Sequence, residues 1–259
     1  MNSGSLGLAG KVAIVTGASS GIGRATAQLF ADRGVNVVAV GRNEKSLNEL
    51  KKSASKKGGI MPHLADVTEF SQLDRVVADS VDHFGKIDVL VNCAGILKNG
   101  NIENTSLDDW DRMMNINLRS VFVLMQKCVP YLCKTRGNIV NVSSVAGPRA
   151  FPNLLAYCIS KAATDQLTRC SALDLASKGV RVNAVNPGVV VTNLHGRGGM
   201  DEKAYKRFLE HSTETHPMGR VGQPEEVAEL IYYLASEKAS WITGATYEID
   251  GGRGQTCAR

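Results

Sequence analysis

Tyr157 and Lys161 are the side chains in this sequence best suited to proton transfer. They stand four residues apart in a segment whose pattern predicts a helix over residues 155–177, so both lie on one face of that helix. An ammonium beside a phenol stabilises the phenolate and lowers the phenol's pKa from its usual value of about 10. Such a phenol can act as a general acid or base near neutral pH. Tyrosine and lysine at this spacing are also common on helix surfaces, so the pair alone indicates little.

Two further polar residues precede this pair. Ser144 comes just after a predicted strand at residues 137–142, and Asn117 lies within a predicted helix at residues 107–134. The Ser144 hydroxyl could donate a hydrogen bond to an oxygen on which negative charge develops. Taken singly, Ser144 could be a turn cap and Asn117 a structural bend. The four residues together, in this order behind a glycine-rich loop, favour a catalytic site.

The glycine-rich loop has the spacing Gly-x-x-x-Gly-x-Gly and joins a predicted strand at residues 12–15 to a predicted helix at residues 21–33. Glycines permit a tight turn and let a diphosphate approach the backbone, while the helix N-terminus supplies free N–H donors. A plain strand-to-helix turn would rarely need three glycines. The loop therefore predicts a nucleotide site, with these residues in contact with it: Thr16, Gly17, Ser19, Ser20, Gly21, Ile22 and Gly23.

The end of the second predicted strand, residues 35–40, indicates which dinucleotide is bound. An NAD site usually carries an acid there for the adenine ribose, but this sequence continues with Gly41 and Arg42. Arg42 can form a charge-assisted pair with a 2′-phosphate, which favours NADP(H) over NAD(H). Arg42 could also be an ordinary surface arginine. Ser20 stands where some NADP enzymes carry a second basic residue, so we expect the preference to be moderate.

The elements that must position these residues alternate regularly between strand and helix. Seven strands are predicted, at residues 12–15, 35–40, 60–64, 87–91, 137–142, 180–185 and 245–249. Strands that alternate with helices predict an α/β fold: one doubly wound Rossmann-type domain over residues 1–259, with a seven-stranded parallel sheet and helices on both faces. We expect residues 1–9 to be a flexible N-terminus. Residues 192–222 follow a strand end and predict a substrate lid, shaped by Leu194, His195, Met200, Tyr205 and Phe208.

Composition narrows the possible partners. The chain has 259 residues with 30 Lys+Arg and 25 Asp+Glu, a net charge of +5 that is too mild and too scattered to indicate nucleic-acid binding. There is no 18-residue apolar stretch, so we expect no membrane span. Residues 1–10 do not resemble a signal peptide and the last three are not a peroxisomal signal, so we expect a cytoplasmic protein, with an organelle left open. Six cysteines without Cys-x-x-Cys and five scattered histidines predict no metal site.

Several short motifs are spread over residues 11–252. They are Thr16 to Gly23, Asp66-Val67, Asn92-Cys93-Ala94-Gly95, Asn117, Ser143-Ser144, Tyr157-Cys158-Ile159-Ser160-Lys161, Pro187-Gly188 with Thr192, and Asp250-Gly251-Gly252. Together they resemble the short-chain dehydrogenase/reductase family, especially its branch of 3-oxoacyl-carrier-protein reductases and carbonyl reductases. One departure is Cys93, where that family usually carries a second asparagine.

The resemblance implies roles for residues that spacing alone does not explain. Lys161 would hold the nicotinamide ribose hydroxyls, and Asn117 would anchor a water that links Lys161 to solvent. Relatives are often homotetramers that assemble through the two long helices and the last strand. The remaining implied cofactor contacts are Asp66, Val67, Asn92, Ala94, Gly95, Pro187, Gly188, Val190 and Thr192.

The leading hypothesis is an NADP(H)-dependent oxidoreductase that transfers a hydride between nicotinamide and a small carbonyl or secondary alcohol substrate, with Tyr157 as general acid and base. One alternative is a 3-oxoacyl-carrier-protein reductase of fatty-acid synthesis, since the positive charge is compatible with an acidic carrier protein. Another is a non-catalytic NADP-binding sensor or scaffold. Such a protein need not keep all four of Asn117, Ser144, Tyr157 and Lys161, and this chain does.

Overall fold

The computed structural model of the chain describes residues 7–55 and 57–256. Within that part, seven strands form one parallel sheet in the order β3-β2-β1-β4-β5-β6-β7. The α/β fold predicted from the sequence is confirmed. The strands are β1 (Val12–Thr16), β2 (Asn36–Gly41), β3 (Ile60–Leu64), β4 (Val89–Asn92), β5 (Asn138–Val142), β6 (Arg181–Pro187) and β7 (Thr246–Ile249).

Helices cover both faces of this sheet. They are α1 (Gly21–Asp32), α2 (Glu44–Ser53), α3 (Phe70–Phe84), α4 (Leu107–Met114), α5 (Ser120–Thr135), α6 (Leu155–Ala176), α7 (Leu194–Arg197), α8 (Glu202–Thr215) and α9 (Pro224–Ala235). The helices α1 and α9 pack together on one face, and α3 and α5 pack on the other. Because both faces are covered, β1 is buried along its whole length, and its first four residues are all apolar.

Local sequence explains where several of these helices begin and end. Pro224 opens α9, and a capping box between Gln223 and Glu226 satisfies free N–H groups there. At the other end of a helix, Gly85 follows α3 with φ of +76°, the left-handed conformation that glycine adopts without strain. These local signals mark the start of α9 and the end of α3.

The long helix predicted over residues 107–134 is not continuous. A π turn, Asn115–Arg119, separates α4 from α5, while α5 itself continues through Pro130. A π turn carries one residue more than the matching α turn. It changes the rotational phase of the helix at the position of Asn117.

Two predicted segments need separate description. Of the N-terminal residues 1–9, residues 1–6 lie outside the described part, and Leu8 is buried in the core beside α1. The segment 192–222 contains α7 and α8. In the part of the chain that the structure covers, no helix combines the length and apolarity needed to traverse a bilayer.

Candidate active site

The strand order places β1 beside β4, so the chain leaves these neighbours in opposite directions and a crevice opens at their carboxyl ends. The glycine-rich loop forms one wall of that crevice. Gly17 and Gly21 have φ of +69° and +54°, and a Cβ atom on Gly23 would lie 2.5 Å from the carbonyl oxygen of Gly17. The loop therefore depends on glycine for its shape and leaves its backbone accessible.

The loop is fixed to the exit of β4 by Thr16. Its hydroxyl accepts hydrogen bonds from the backbone N–H groups of Cys93 and Ala94, each at 3.0 Å. At the start of α1, the side chain of Ser20 does not cap the helix, so the first N–H groups are left for another acceptor. This backbone cradle at a helix N-terminus fits the diphosphate of a dinucleotide.

Tyr157 and Lys161 lie together on α6, as their spacing predicts. The Lys161 ammonium is 5.7 Å from the centroid of the Tyr157 ring and donates a hydrogen bond of 2.9 Å to the carbonyl of Val142. Both side chains are almost fully buried, with 7% of Tyr157 and 6% of Lys161 exposed. Ser144, also buried, accepts a hydrogen bond from the N–H of Ala146 at 3.1 Å.

Asn117 lies in the π turn and ties three elements together. Its amide accepts from the N–H of Ile96 and donates to the carbonyl of Ile96, both at 2.9 Å, and donates to the hydroxyl of Ser160 at 3.0 Å. The Thr164 hydroxyl donates to the Asn117 carbonyl at 3.3 Å. Asn117 thus sets the distance between the exit of β4 and α6.

The exit of β4 contributes two more of the residues named from the sequence. Asn92 is buried and donates to the side chain of Asn141 at 2.9 Å, which links β4 to β5. A Cβ atom on Gly95 would lie 3.4 Å from the Asn117 side-chain oxygen and 3.7 Å from the Lys161 nitrogen. The absence of a side chain at Gly95 therefore keeps the space beside Lys161 open.

The titration behaviour of the pair differs from the expectation that Lys161 lowers the pKa of Tyr157. Burial raises the pKa of Tyr157 to about 12, and the hydrogen bond with Ser144 opposes this only in part. Burial also lowers the pKa of Lys161 to about 8, against the opposing influence of Cys93 and Asp165. The reason is desolvation, because removing a phenolate or an ammonium from water disfavours the charged form of each.

A cavity of about 490 Å³ extends from the glycine loop past Tyr157 to α7 and α8. This volume is in the range of small-molecule sites. Its lining includes fourteen of the residues named from the sequence: Gly17, Ser20, Gly21, Ile22, Gly23, Ala94, Gly95, Ser144, Tyr157, Lys161, Pro187, Gly188, Val190 and Thr192. Seven others lie outside the lining: Thr16, Ser19, Arg42, Asp66, Val67, Asn92 and Asn117.

Arg42 and Asp66 lie together beyond that cavity, at the ends of β2 and β3. Their side chains approach to 3.4 Å, and Asp66 also accepts hydrogen bonds from the N–H and the hydroxyl of Thr68. Partial burial raises the pKa of Asp66, but the Thr68 and Arg42 contacts outweigh it and hold that pKa below its usual value. The Arg42 side chain is 58% exposed, so it can contact a ligand at this surface.

Residues outside the motifs also line the cavity, and only some of them were predicted from the sequence. Of the residues predicted to shape the lid, Leu194, Met200 and Phe208 border the cavity. Tyr205 does not; its hydroxyl bonds to the backbone of Thr192. The side chain of His195 lies outside the described part. The parts of the wall that were missed include Ile96, Leu97 and Asn99 after β4, Val145 and Ala146 after β5, the loop of residues 151–154 before α6, and Arg253 after β7. The one local signal is Asn153, a non-glycine residue with φ of +60°.

Among the described residues, no group of three or more His, Cys, Asp or Glu side chains is arranged to hold a metal ion.

Comparisons with known proteins agree with this geometry. A family model described as enoyl-(acyl carrier protein) reductase matches residues 17–253. The chain is 42% identical over 247 residues to the 3-oxoacyl-(acyl-carrier-protein) reductase of Thermotoga maritima, covering 95% of this chain and 98% of that one. It is 36% identical to the trans-4-hydroxycyclohexanecarboxylate dehydrogenase of Sinomonas cyclohexanicum, covering 95% and 93%.

Solved structures give the same result. A short-chain dehydrogenase/reductase of unknown function from Caenorhabditis elegans, crystallised with cofactor, superposes with a TM-score of 0.90 at 38% identity, covering 97% of both chains. The ligand-free aldohexose dehydrogenase of Thermoplasma acidophilum superposes with a TM-score of 0.86 at 35% identity, again covering 97% of both.

Proposed function

This chain belongs to the short-chain dehydrogenase/reductase family of NAD(P)-dependent oxidoreductases that act on alcohol and carbonyl groups, and we propose that it is an NADP(H)-dependent carbonyl reductase or alcohol dehydrogenase with Tyr157 as its general acid and base. One observation carries the proposal: Tyr157, Ser144 and Lys161 line the same cavity into which the glycine loop opens. A bound substrate can therefore meet a proton donor and a hydride source at once.

The chain's own residues supply binding and proton transfer. The glycine loop and the start of α1 would hold the diphosphate, and Lys161 would hold the ribose hydroxyls. When bound, the nicotinamide supplies or accepts the hydride. Ser144 would donate a hydrogen bond to the substrate oxygen as it gains negative charge. Tyr157 would transfer its phenolic proton to that oxygen.

The two pKa shifts favour reduction of a carbonyl in this proposal. With a pKa of about 12, the Tyr157 phenol holds its proton throughout the physiological range and is ready to donate it. With a pKa of about 8, the Lys161 ammonium can lose and regain a proton near neutral pH. Lys161 would therefore return a proton to Tyr157 after each turnover, and Asn117 would position the water that connects Lys161 to solvent.

The preference for NADP(H) rests on the end of β2. No carboxylate stands at Gly41 to bind a ribose diol or to repel a 2′-phosphate, and Arg42 presents an exposed guanidinium beside Asp66. Asp66 and Val67 would contact the adenine from the end of β3. The remaining contacts, from Pro187, Gly188, Val190 and Thr192, would hold the nicotinamide side.

A second candidate is reduction of 3-oxoacyl groups carried on an acyl-carrier protein. The relative from Thermotoga maritima that bears this name is 42% identical to the chain, which favours this candidate. The Sinomonas relative is named for a cyclohexane alcohol, which favours free alicyclic substrates instead. A non-catalytic scaffold gains no support, because these relatives are named as enzymes.

An NADPH-oxidation screen tests the proposal. It should contain cyclic ketones, acyclic ketones, free 3-oxoacyl thioesters and the same acyl groups on a carrier protein. We expect turnover of free ketones. Turnover confined to carrier-bound substrates would establish the second candidate, and cofactor binding without turnover of any compound would contradict both.

We further propose a homotetramer that assembles through α5 and α6. Phe122 on α5 and Ile159 and Leu173 on α6 are exposed apolar side chains, which a subunit interface would cover. Light scattering coupled to size exclusion tests this, and a monomer at micromolar concentration would contradict it. We also propose that residues 192–222 form the substrate lid of a single domain.

A further inference from the structure

Arg253 follows β7 in a short 3-10 turn, Arg253–Gln255, and borders the cavity described above. The centre of its guanidinium lies 5.4 Å from the centroid of the Phe151 ring. Among the described residues, its guanidinium donates two hydrogen bonds, both long at 3.4 Å, to the carbonyl of Thr215 and the hydroxyl of Thr256. Most of the donor capacity of a guanidinium is therefore left for another partner.

The position of Phe151 connects this guanidinium to the reaction centre. Phe151 packs against the buried cluster that contains Tyr157, Leu97 and Ala156. Arg253 and Tyr157 thus border one cavity with an apolar wall between them. A ligand whose carbonyl meets Tyr157 can extend along this wall toward Arg253.

The charge of the cavity is one-sided. Within the described residues, its lining includes no aspartate or glutamate, whereas Lys161 and Arg253 are both cationic. The nearest acid in sequence, Asp250, accepts hydrogen bonds from the backbone N–H groups of Gly252 and Gly254 and forms no ion pair with Arg253 among the described residues. Within the part of the chain that the structure describes, the guanidinium borders the apolar wall with no carboxylate paired to it.

We propose that Arg253 determines substrate specificity by binding a carboxylate at the end of the substrate remote from the reacting carbon. The substrate class is then an apolar keto acid, or the matching hydroxy acid. The fork of N–H donors in arginine matches the two oxygens of a carboxylate, and stacking on Phe151 holds the fork in place. This inference rests on the proposed reductase function and adds the chemical class of its substrate.

Matched substrate pairs test it. 4-Oxocyclohexanecarboxylate and its primary amide have nearly the same shape and differ in charge, as do 7-oxooctanoate and its amide. For at least one skeleton we expect the intact enzyme to show a kcat/KM at least about tenfold higher for the acid, because hydrogen bonds to a charged group are worth more than neutral ones. Arg253→Met should reduce this acid-to-amide ratio to near one, and Arg253→Lys should restore part of it.

Arg149 offers a matched control. It donates a hydrogen bond of 2.6 Å to the carbonyl of Thr256, so it holds the same C-terminal segment, but it does not line the cavity. Arg149→Met should therefore keep the acid-to-amide ratio. A similar loss of the ratio in Arg149→Met would show that packing of the segment, and not the Arg253 charge, sets it, and would overturn the proposal.

A binding measurement separates this inference from the proposed function. Calorimetry with the NADPH complex should show tighter binding of cyclohexanecarboxylate than of cyclohexanecarboxamide, and Arg253→Met should abolish the difference. Equal binding of the two compounds by the intact protein would overturn the role of Arg253 even if ketones are reduced. The expected binding difference without any ketone turnover would support Arg253 and contradict the reductase.

Discussion

The side-chain oxygen of Ser19 occupies the space that a Cβ atom on Gly41 would need. This oxygen is buried and has no hydrogen-bond partner in the described structure. The glycine loop and the end of β2 are therefore matched to each other. Position 41 lies where dinucleotide folds selective for NAD place their ribose-binding acid, so the fit bears directly on cofactor choice.

This fit predicts that Gly41→Asp alone will not convert the enzyme to NADH. A Cβ atom there would lie 2.0 Å from the Ser19 side-chain oxygen, so the hydroxyl must leave its present rotamer, and we expect kcat/KM to fall by up to about tenfold with both cofactors. The double variant Ser19→Gly/Gly41→Asp removes the conflict and should recover activity with NADH. Steady-state kinetics of both variants with NADPH and NADH test this prediction. A preference of Gly41→Asp alone for NADH would show that the glycine loop accommodates the new side chain without the second substitution.

Arg42→Ala tests the proposed contact with the 2′-phosphate. A charge-assisted hydrogen bond is worth about 1.5–3 kcal/mol, so kcat/KM with NADPH should fall by roughly tenfold or more. NADH lacks that phosphate and serves as the internal control, because its kcat/KM should change little. An equal loss with both cofactors would mean that Arg42 supports the fold rather than the phosphate.

Tyr157→Phe removes the proposed proton donor and keeps the ring that packs beside Phe151. General acid catalysis contributes about 10²–10⁴-fold, so turnover should fall by at least about 100-fold. The dissociation constant for NADPH, followed by its fluorescence, should change little and would show that the site remains folded. Near-normal turnover in this variant would remove Tyr157 from the mechanism.

The lowered pKa of Lys161 predicts a pH dependence of cofactor binding. Below about pH 8 the side chain is an ammonium with donors for the ribose hydroxyls, and above that pH it loses its charge. The dissociation constant for NADPH should therefore rise as the pH increases through this region. Lys161→Met should bind weakly at every pH and lack the transition. A profile of the intact protein that stays flat from pH 6.5 to 9.5 would contradict the role.

His216 predicts loss of stability in acid. Its Nδ1–H donates to the carbonyl of Ser212 at 2.6 Å, and its Nε2 accepts from the N–H of Val189 at 3.2 Å, so the neutral ring satisfies both partners. Burial lowers the pKa of His216, with a smaller contribution from Arg253, despite the Ser212 bond. Because the folded pKa lies below the unfolded value of about 6.5, the stabilisation is present above that pH and is lost as the pH falls through the folded pKa.

The melting temperature should accordingly decrease between pH 7.5 and pH 5, and the decrease should be smaller in His216→Gln. His211, which is exposed on α8, is the matched control, and His211→Gln should keep the decrease of the intact protein. If the melting temperature of His216→Gln decreased as much as that of the intact protein, the acid sensitivity would be due to other titratable groups.

Much of the fold could be predicted because its signals are local. Each strand is a short buried run, and most connections are marked by glycine, proline or a change of period. The succession of strands and helices along the chain and the glycine loop therefore follow from neighbouring residues, whereas the order of the strands in the sheet does not. The proximity of Tyr157 and Lys161 follows from helix geometry alone.

The rest depends on contacts between distant segments. The π turn at Asn115–Arg119 has no glycine or proline to mark it, and its key side chain bonds to Ile96. The pKa of Tyr157 depends on how completely other elements exclude water from the phenol, which no spacing records. Arg253 could not be identified from the sequence, because its place at the cavity depends on its contact with Phe151, which is distant in the sequence.

The π turn also restricts where the chain can change in length. Because a π turn holds one residue more than an α turn, deleting one residue from Asn115–Arg119 would leave a regular helix. The apolar side of α5, with Leu124 and Cys128, would still face α3. The irregularity that directs Asn117 toward Ile96 and Ser160 would be lost. A change of length in this turn should therefore spare the fold and damage the site.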